Sequence, residues 1–480
     1  MPGFRAWHGV SRWMRTTPGR LRLQSLLVAC AALALLGTGS GGVVAVLVTE
    51  TNIHQRTVRE IVGVQRLHAW LAAADRSAAN SYLSGGAELT LPQQQYEADV
   101  AAAGRELEHA GGFQSADDPV GQRLAAISQS FGEYTRLVDS AMVQHRLGNA
   151  DGIADLRAAS GLMHNARDGI LAQVEEVERM CAGELTQADL TLTIASGVLA
   201  VFALSAIVAV GLLVWTQRFV RWRFRRRRNK RLLAATLAAV VVAAGTGTGV
   251  YGARQSITQS QSQYARLLNL WHARSLAYDA NGDTSRYLMA AAAAAPVGAT
   301  TDTAFQTDTS RLVDRPLTDE MVSAAQRGQV HFAGMLAKEL QSAGSASERA
   351  AALRVIQAYR QFLDIDAAVH AQAAAGHPAA AVTLTLGTYG APLGLAFKSL
   401  DWGPRLGAQR DWSEGELGFA FEEFDWDLAQ LTQLLQTEFD ATMSAVERLL
   451  TETLALQVLS LAVAALTFAG LRPRIAEYLV

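Results

Sequence analysis

The sequence predicts an all-α integral membrane protein in which one plan, a membrane helix, an extracellular antiparallel helical bundle and a second membrane helix, occurs twice in tandem. Four segments without a charged residue are the first reason: 23–48, 190–215, 232–252 and 454–471. Each is roughly 18–26 residues long, which at 1.5 Å per residue is enough to cross about 30 Å of hydrocarbon as a helix. The distribution of charge and the matching patterns of the two halves are the second and third reasons.

The short segments outside the apolar runs are basic, and the long ones are acidic. Residues 1–22, 216–231 and 472–480 together hold 16 of the 42 Lys and Arg and 1 of the 44 Asp and Glu, a net charge of +15. The long segments, 49–189 and 253–453, hold the remainder, a net charge of −17. Because short loops rich in Lys and Arg stay in the cytoplasm, we expect a multi-pass protein of the plasma membrane with both termini and the central loop inside.

Residues 1–48 have a competing interpretation as a cleaved secretory signal peptide. The apolar run is longer than a usual signal-peptide core, and no small-x-small cleavage site leads into a mature start, so we interpret it as an uncleaved anchor. Cys30 lies in this run and Cys181 lies outside the membrane, so the two cannot form an intrachain disulfide. The long segments are therefore expected to depend on apolar packing for their stability.

The first long segment has the pattern of four antiparallel helices. An apolar stripe from Ile61 to Tyr82 continues out of the first membrane run and ends at Ser84-Gly85-Gly86, and Leu91-Pro92 opens a second helix to about Ala110. A third helix is predicted at about 119–147, with these residues facing inward: Phe131, Tyr134, Leu137, Val138 and Val143. After a turn at Gly148-Asn149, the last helix is expected to run from about Asp151 into the second membrane run without a break.

The second long segment repeats this plan with additions. Tyr359-Arg-Gln-Phe362 corresponds to Phe131-Gly-Glu-Tyr134, and Gly376-His377 corresponds to the turn at Gly148-Asn149. A final helix at about 414–452 is expected to lead into the fourth membrane run. The stretch 387–413 is rich in Gly, Pro and Trp, which predicts an irregular insertion that serves a contact.

A Gly-Thr-Gly-x-Gly motif lies at the same depth in the first and third membrane runs. A dinucleotide-binding fingerprint would need a strand before the glycines and an acidic residue after them, and neither is present. Small residues allow membrane helices to pack closely. We therefore assign helix packing to Gly37, Gly39, Gly41, Gly245, Gly247 and Gly249.

Residue patterns typical of catalysis are missing from the sequence. The ten His are scattered, without the spacing of a metal site, and Cys181 is expected to be a buried thiol on an apolar stripe. Six acidic residues are interpreted as a solvated helix face, with a cation site as the alternative: Asp364, Asp366, Glu422, Glu423, Asp425 and Asp427. Four tryptophans are interpreted as core or interface anchors: Trp70, Trp271, Trp412 and Trp426. We predict no enzymatic activity, metal, cofactor or nucleic-acid partner.

Two surfaces are candidates for contact with protein partners. Outside the membrane, the insertion carries the residues Tyr389, Leu393, Phe397 and Trp402, since aromatic residues are typical interface anchors; packing onto its own bundle is the alternative. Inside, the candidates are Arg225, Arg226, Arg227, Arg228, Arg472, Arg474 and Tyr478. The basic loop also fixes the topology through attraction to anionic lipid. Both inner segments are too short for an output domain.

Each half resembles the sensor part of a bacterial chemoreceptor, with a four-helix bundle between two membrane helices. In that family the ligand site lies between the bundles of two subunits. The resemblance implies that the two halves form a covalent pseudo-dimer, in which the first helices of the two bundles face each other along Ile61–Ala78 and Leu267–Ala280.

The chain also resembles the four-pass actinobacterial membrane protein that works with a glutamate-binding lipoprotein and the soluble Ser/Thr kinase called protein kinase G. The resemblance rests on the repeated plan, on Ala277–Leu288, on the Phe-x-x-Phe-Asp pattern at 421–425 and on Leu471–Tyr478. It implies that the bundles receive a solute-binding lipoprotein carrying an amino acid, and that the signal reaches a cytosolic Ser/Thr kinase.

The function expected from the sequence is therefore that of a non-enzymatic signal transducer. An accessory subunit of a solute transporter is one alternative, although four uncharged membrane helices offer little for transport. A structural protein of the cell envelope is the other.

Overall fold

The computed structural model describes residues 17–52, 59–84, 91–112, 118–149, 151–224, 229–292, 299–386 and 416–476. The regular elements within these ranges are all α-helices, which confirms the all-α prediction. They are α1 (Thr17–Asn52), α2 (Arg59–Leu83), α3 (Leu91–Gly112), α4 (Pro119–Arg146), α5 (Asp151–His164), α6 (Ile170–Phe224), α7 (Lys230–Ala292), α8 (Ala299–Leu312), α9 (Asp319–Gln326), α10 (Met335–Ser342), α11 (Ala346–Ala374), α12 (Pro378–Leu386), α13 (Leu417–Gln457) and α14 (Leu459–Ala476).

The chain divides into two compact units. The membrane unit comprises Met1–Arg56, Leu185–Gln261 and Asp440–Val480, and the bundle unit comprises Thr57–Glu184 and Ser262–Phe439. The bundle unit therefore takes its residues from both halves of the chain. Residues of the two predicted bundles lie in this one compact unit.

Four helices are long and apolar enough to cross a membrane, judged by length and composition. They contain the spans Arg20–Ala45 and Ala200–Trp222 and apolar parts of Lys230–Ala291 and Leu417–Pro473. One buried apolar cluster takes side chains from all four: Val28, Ala32, Leu213, Ala235, Ala239 and Val463. Other large apolar side chains of the same helices face outward, among them Ile207 at 70% exposure and Leu237 at 66%. This is the pattern of a multi-pass membrane protein, whose outer face is solvated by lipid.

The helix ends of the first half follow local signals in the sequence. Helix α2 ends at Leu83, and α3 begins at Leu91 with Pro92 in its first turn. Before α4, the side chain of Asp118 accepts a hydrogen bond from the Val120 amide at 3.2 Å, and Pro119 occupies the first helical position. The turn after α4 is made by Gly148, whose φ is +73°.

Two expectations for the first half are wrong. The last helix does not run unbroken from Asp151 into the membrane, because the chain turns between His164 and Ile170. Asn165 builds this turn: its side chain accepts from the Arg167 amide at 3.0 Å, and its carbonyl accepts from the Gly169 amide at 2.9 Å. Val143, expected to face inward, is 46% exposed, since its neighbour Met142 takes the inward position.

The second half preserves the core of the first. The rings of Phe131 and Tyr134 lie 5.9 Å apart, and those of Tyr359 and Phe362 lie 6.1 Å apart, with all four side chains buried. Gly376 forms the turn after α11 with a φ of +82°. Between α7 and α11 the second half has three short helices, α8, α9 and α10, where the first half has α3 between α2 and α4. The insertion predicted at 387–413 lies outside the described residues.

Candidate functional site

The first helices of the two halves contact each other within the bundle unit. We call the contact between α2 and residues 262–292 of α7 the seam. The Ser285 hydroxyl donates to Asn80 Oδ1 at 2.6 Å. The Arg66 guanidinium lies 5.6 Å from the centre of the Trp271 ring. These contacts confirm that the first helices face each other, as the pseudo-dimer interpretation expects.

Asp75, on α2, is the centre of a buried polar network in the seam. Its carboxylate is paired with Arg286 of α7, accepts from the Tyr134 hydroxyl at 3.2 Å and lies 2.9 Å from His164 Nε2. Burial by itself raises the pKa of Asp75, but the charges of Arg286 and His164 outweigh it and lower the pKa to about 2. Asp75 is therefore an anion at neutral pH, and it joins α2, α4, α5 and α7.

Two buried arginines connect the seam to α13. The Arg274 guanidinium donates to both carboxylate oxygens of Asp425, at 2.7 and 2.6 Å. The Arg76 guanidinium lies between two rings, 5.0 Å from Tyr278 and 4.8 Å from Phe421. Planar guanidinium groups suit this combination of paired oxygens and aromatic faces. Both arginines are 3% exposed, so their charges depend on these partners.

Glu422 is the carboxylate partner of Arg76. Its Oε1 lies 3.4 Å from Arg76 Nη2 and accepts from the Gln95 side-chain amide at 2.9 Å. Because Gln95 belongs to α3 and Glu422 to α13, the pair also connects the first bundle to the last helix of the second. Removing either charge would leave the other buried without compensation, which is costly in a protein interior.

An excess of carboxylates faces Arg286. Asp283 Oδ1 lies 2.7 Å from Arg286 Nη2, and Asp279 lies one turn earlier on the same helix. Burial raises the pKa of Asp308, on α8, and the negative charges of Asp279 and Asp283 raise it further, to about 7. The bundle unit therefore holds a carboxyl group that changes its charge near neutral pH.

A pair of histidines lies across the seam. The rings of His68 and His272 are 6.3 Å apart, and His68 Nδ1 lies 3.0 Å from a carboxylate oxygen of Glu178. Burial lowers the pKa of His68, but the hydrogen bond and charge of Glu178 outweigh it, so the pKa is raised. Burial, together with the neighbouring His68, lowers the pKa of His272. The two rings therefore take up protons at different pH values.

The solvated-face interpretation of the acidic residues is wrong for Asp366 and Asp425, which are buried and face buried donors rather than water. Asp366 accepts from the Thr284 hydroxyl at 2.6 Å, and Asp425 is paired with Arg274. Glu422 and Asp427 are mostly covered, with side-chain exposures of 17% and 16%. In the part of the chain that the structure describes, no group of His, Cys, Asp and Glu is placed to hold a metal ion.

Sequence reasoning did not single out Asp75, Arg76 or Arg274. A signal was available, because Asp75-Arg76 interrupts the small, apolar face of α2 between Ala74 and Ala78. A charge at such a position indicates a buried pair. The interpretation of Trp70 and Trp271 as anchors fits their burial, and Cys181 is 2% exposed.

The partner contacts predicted from the sequence lie mostly outside the described residues. This holds for Tyr389, Leu393, Phe397 and Trp402, for Arg225, Arg226, Arg227 and Arg228, and for Tyr478. Arg472 is exposed on α14, and Arg474 lies near the end of that helix. These residues remain predictions.

The glycines of the two membrane motifs divide into two sets. Gly39, Gly245 and Gly249 lie directly against side chains of α13, and a Cβ atom on any of them would meet those side chains. At Gly37, Gly41 and Gly247, a Cβ atom would meet nothing within 4 Å.

Comparison with known proteins supplies one match. Residues 49–189 match the family described as the actinobacterial sensor domain. No curated protein and no solved structure matches the chain significantly. The matched residues lie between the first two apolar runs and contribute α2, α3, α4, α5 and the first part of α6 to the bundle unit. The chain is thus a multi-pass membrane protein with a sensor domain, which indicates a role in sensing.

Proposed function

We propose that this protein is a non-enzymatic transmembrane signal transducer. Its bundle unit receives an extracellular signal, and its membrane unit passes that signal to a protein in the cytosol. The observation that carries the proposal is the sensor-domain match at residues 49–189 in a chain with four membrane-spanning candidates. Two helices of that chain, α6 with 55 residues and α7 with 63, contain both bundle residues and an apolar span without interruption.

The seam supports this proposal because buried charged pairs, which require a particular geometry, connect the two halves of the chain. The buried carboxylate of Asp75 on α2 is paired with Arg286 on α7, so a signal that moves α2 must move α7 with it or break that pair. The bidentate Arg–carboxylate pair that joins α7 to α13 tolerates little change in distance or angle. Since α7 and α13 are joined by Arg274 and Asp425, the movement of one first helix also reaches the last helix of the bundle unit.

The orientation and the partners follow from the charge distribution and the family resemblance. The net charge of +15 on the short segments supports a cytoplasmic location for both termini and the central loop. The resemblance supports an amino acid, delivered by a lipoprotein, as the signal, and a Ser/Thr kinase as the receiver. In this proposal the insertion contacts the lipoprotein, while Arg225–Arg228 and the segment from Arg472 to Tyr478 contact the kinase.

The proposal is tested by affinity capture from native membranes with two complementary variants. Replacing Arg225–Arg228 by Ala, with the other basic residues retained to preserve topology, should remove the cytosolic partner from the captured set and leave the extracellular one. Deleting 388–402 should do the reverse. Mass spectrometry with isotope-labelled wild type as the reference gives the ratio for each partner.

Topology serves as the control for both variants. In a background without Cys30 and Cys181, a cysteine at Asn149 or His377, both exposed beside a turn, should react with an impermeant thiol reagent on intact cells. A cysteine at Lys230 should not react. Capture of an ATPase and a permease would favour the transporter alternative, and an unchanged partner set in both variants would contradict signal transduction at these surfaces.

A further inference from the structure

The glycine motifs of the first and third membrane runs converge on one short stretch of α13. Gly39 of α1 lies against Gln457, and Gly245 and Gly249 of α7 lie against Leu456 and Thr453. The absence of a side chain at these glycines allows α13 to approach both helices closely, as small residues do in membrane interfaces. The contacted stretch is the last turn or so of α13, immediately before the helix is interrupted.

Gln457 is the most polar residue of this stretch and is 1% exposed. Its amide nitrogen donates to the Thr246 hydroxyl of α7, whereas its Oε1 has no hydrogen-bond partner. A methyl group on Gly39 would lie 2.5 Å from that Oε1, so the amide would have to move to admit it. Apolar packing continues beside it, where Val43 of α1, Val250 of α7 and Leu450 of α13 form one cluster.

The helix is interrupted at the residue after Gln457. Val458 separates α13 from α14, and the local hydrogen bonds span three residues instead of four: the Val458 amide bonds to Ala455 O at 3.2 Å, and the Leu461 amide bonds to Val458 O at 3.1 Å. Tighter turns of this kind inside a helix often mark a hinge. Kinks have identifiable causes, and proline and glycine are both missing from residues 451–464. The contact made by Gln457 is then the remaining candidate cause.

We propose that Gln457 is a conformational switch in the membrane unit, which in the state seen here fastens the end of α13 to α1 and α7. An amide oxygen without a donor is costly inside a membrane. Ser460, two residues after Val458, also has a buried hydroxyl without a partner. These two unpaired groups place the observed state close in free energy to a second one, in which α13 and α14 shift and the groups find partners or water.

The inference deepens the proposed function, because it identifies the point at which movement of α13 is converted into a rearrangement of the membrane helices. It depends on the geometry of the membrane unit and not on the identity of any ligand or partner. Its test therefore measures helix positions directly. The switch can be contradicted while the signalling proposal stands, and it can be supported while the signalling proposal is contradicted.

The test uses the full-length protein in lipid nanodiscs, with spin labels at two exposed positions, Tyr251 on α7 and Leu461 on α14. Double electron–electron resonance gives the distribution of distances between the labels. Gly39→Ala, which inserts a methyl group against the amide, and Thr246→Val, which removes its hydroxyl partner, should each populate a second distance. The wild type should show mainly one.

Each variant has a matched control in the same motif. Gly41→Ala adds a methyl group where nothing lies within 4 Å, and Thr248→Val removes an exposed hydroxyl that bonds only to carbonyls of its own helix. Both should keep the wild-type distribution. The proposal is overturned if Gly39→Ala and Thr246→Val behave like these controls. Valine is nearly the same size as threonine, so Thr246→Val removes the hydrogen bond without crowding the helices. This variant alone tests the proposal if Gly39→Ala fails to fold.

Discussion

Helices α7 and α13 contact each other in both units, through charged groups in one and neutral groups in the other. In the bundle unit they are joined by a buried ion pair, Arg274 with Asp425. In the membrane unit the contacts are a hydrogen bond between uncharged groups, from Gln457 to Thr246, and close packing of Gly249 against Thr453. The same two helices therefore use charge in one environment and small, neutral side chains in the other.

The physical reason for the difference is the cost of desolvation. A buried ion pair near water retains several hydrogen-bond partners, and its charges can be solvated whenever the contact opens. Inside a bilayer an opened ion pair would face hydrocarbon, so polar neutral groups and glycine are the tolerable means of joining helices. In the bundle unit, the pairing of α7 and α13 is therefore specified by buried charges. In the membrane unit it is specified by close packing and by a hydrogen bond between neutral groups.

The largest loss of stability is expected when a charge is removed from the seam. Arg274→Met leaves Asp425 buried without its partner, and we expect the bundle unit to lose about 3–5 kcal/mol of stability. Unfolding by urea, followed by tryptophan fluorescence in nanodiscs, measures the loss. Arg136→Met, in an exposed pair with Glu133, is the matched control and should cause no measurable change.

A second substitution separates the charge of Arg274 from its packing. Arg274→Met combined with Asp425→Leu removes both charges and should recover much of the lost stability, because an apolar pair of similar volume can replace a buried ion pair. If the single and double variants are equally unstable, packing of the guanidinium against Trp271 and Tyr278 matters more than its charge.

An intermediate effect is expected from pH, through Asp308. Its pKa is raised from 3.8 to about 7, so between these values the folded protein binds a proton that the unfolded chain has released. Stability must then fall as pH rises through this window. Melting temperatures measured between pH 4.5 and 8.5 should decline for the wild type and decline less for Asp308→Asn.

Asp364→Asn, on the exposed face of α11, is the control for that measurement and should retain the wild-type pH dependence. The pKa values of His68 and His272 in the seam are also shifted, so some slope should remain in Asp308→Asn. Identical slopes in the wild type and Asp308→Asn would show that Asp308 is not the titrating group.

The smallest effect is expected in the membrane unit. The hydroxyls of Thr38 on α1 and Ser205 on α6 lie 3.1 Å apart, and hydrogen bonds between membrane helices contribute about 0.6 kcal/mol on average. Ser205→Ala should therefore lower the stability of the membrane unit slightly in a denaturation titration. Ser40→Ala, which removes a hydroxyl bonded to a carbonyl of its own helix, is the control. If Ser205→Ala lost as much stability as Arg274→Met, polar contacts in the membrane unit would matter as much as buried charges in the bundle unit, which would contradict the comparison.

The sequence predicted the elements of this fold well, because its signals were local. Pro92, Asp118-Pro119 and Gly148 act within one turn of their own positions, and the structure places helix ends at each of them. The interruption at Asn165 was missed because no such signal stands out there. The apolar residues before and after the asparagine keep their helical spacing, so the sequence suggested one continuous helix.

The candidate site could be predicted only in part. The facing of the two first helices followed from the internal repeat and from a family resemblance, and the structure confirms it. The individual pairs did not follow: Asp75 and Arg286 are 211 positions apart, and Arg274 and Asp425 are 151 apart. Asp366 and Asp425 were assigned to a solvated face because an acidic residue is usually exposed, and a single sequence does not show which arginine will cover it.

By itself, the sequence determined that this chain is helical, that it has four segments able to cross a membrane, and that its two halves repeat one plan. These properties depend on local composition and on the transfer of apolar surface out of water, which can be calculated residue by residue. Only the tertiary structure decided which charges are buried, which glycines of two similar motifs face a neighbouring helix, and at which residue α13 ends and α14 begins. Those outcomes depend on the rotation and register of helices hundreds of residues apart, and they are fixed by the fit of side chains that meet only in the folded protein.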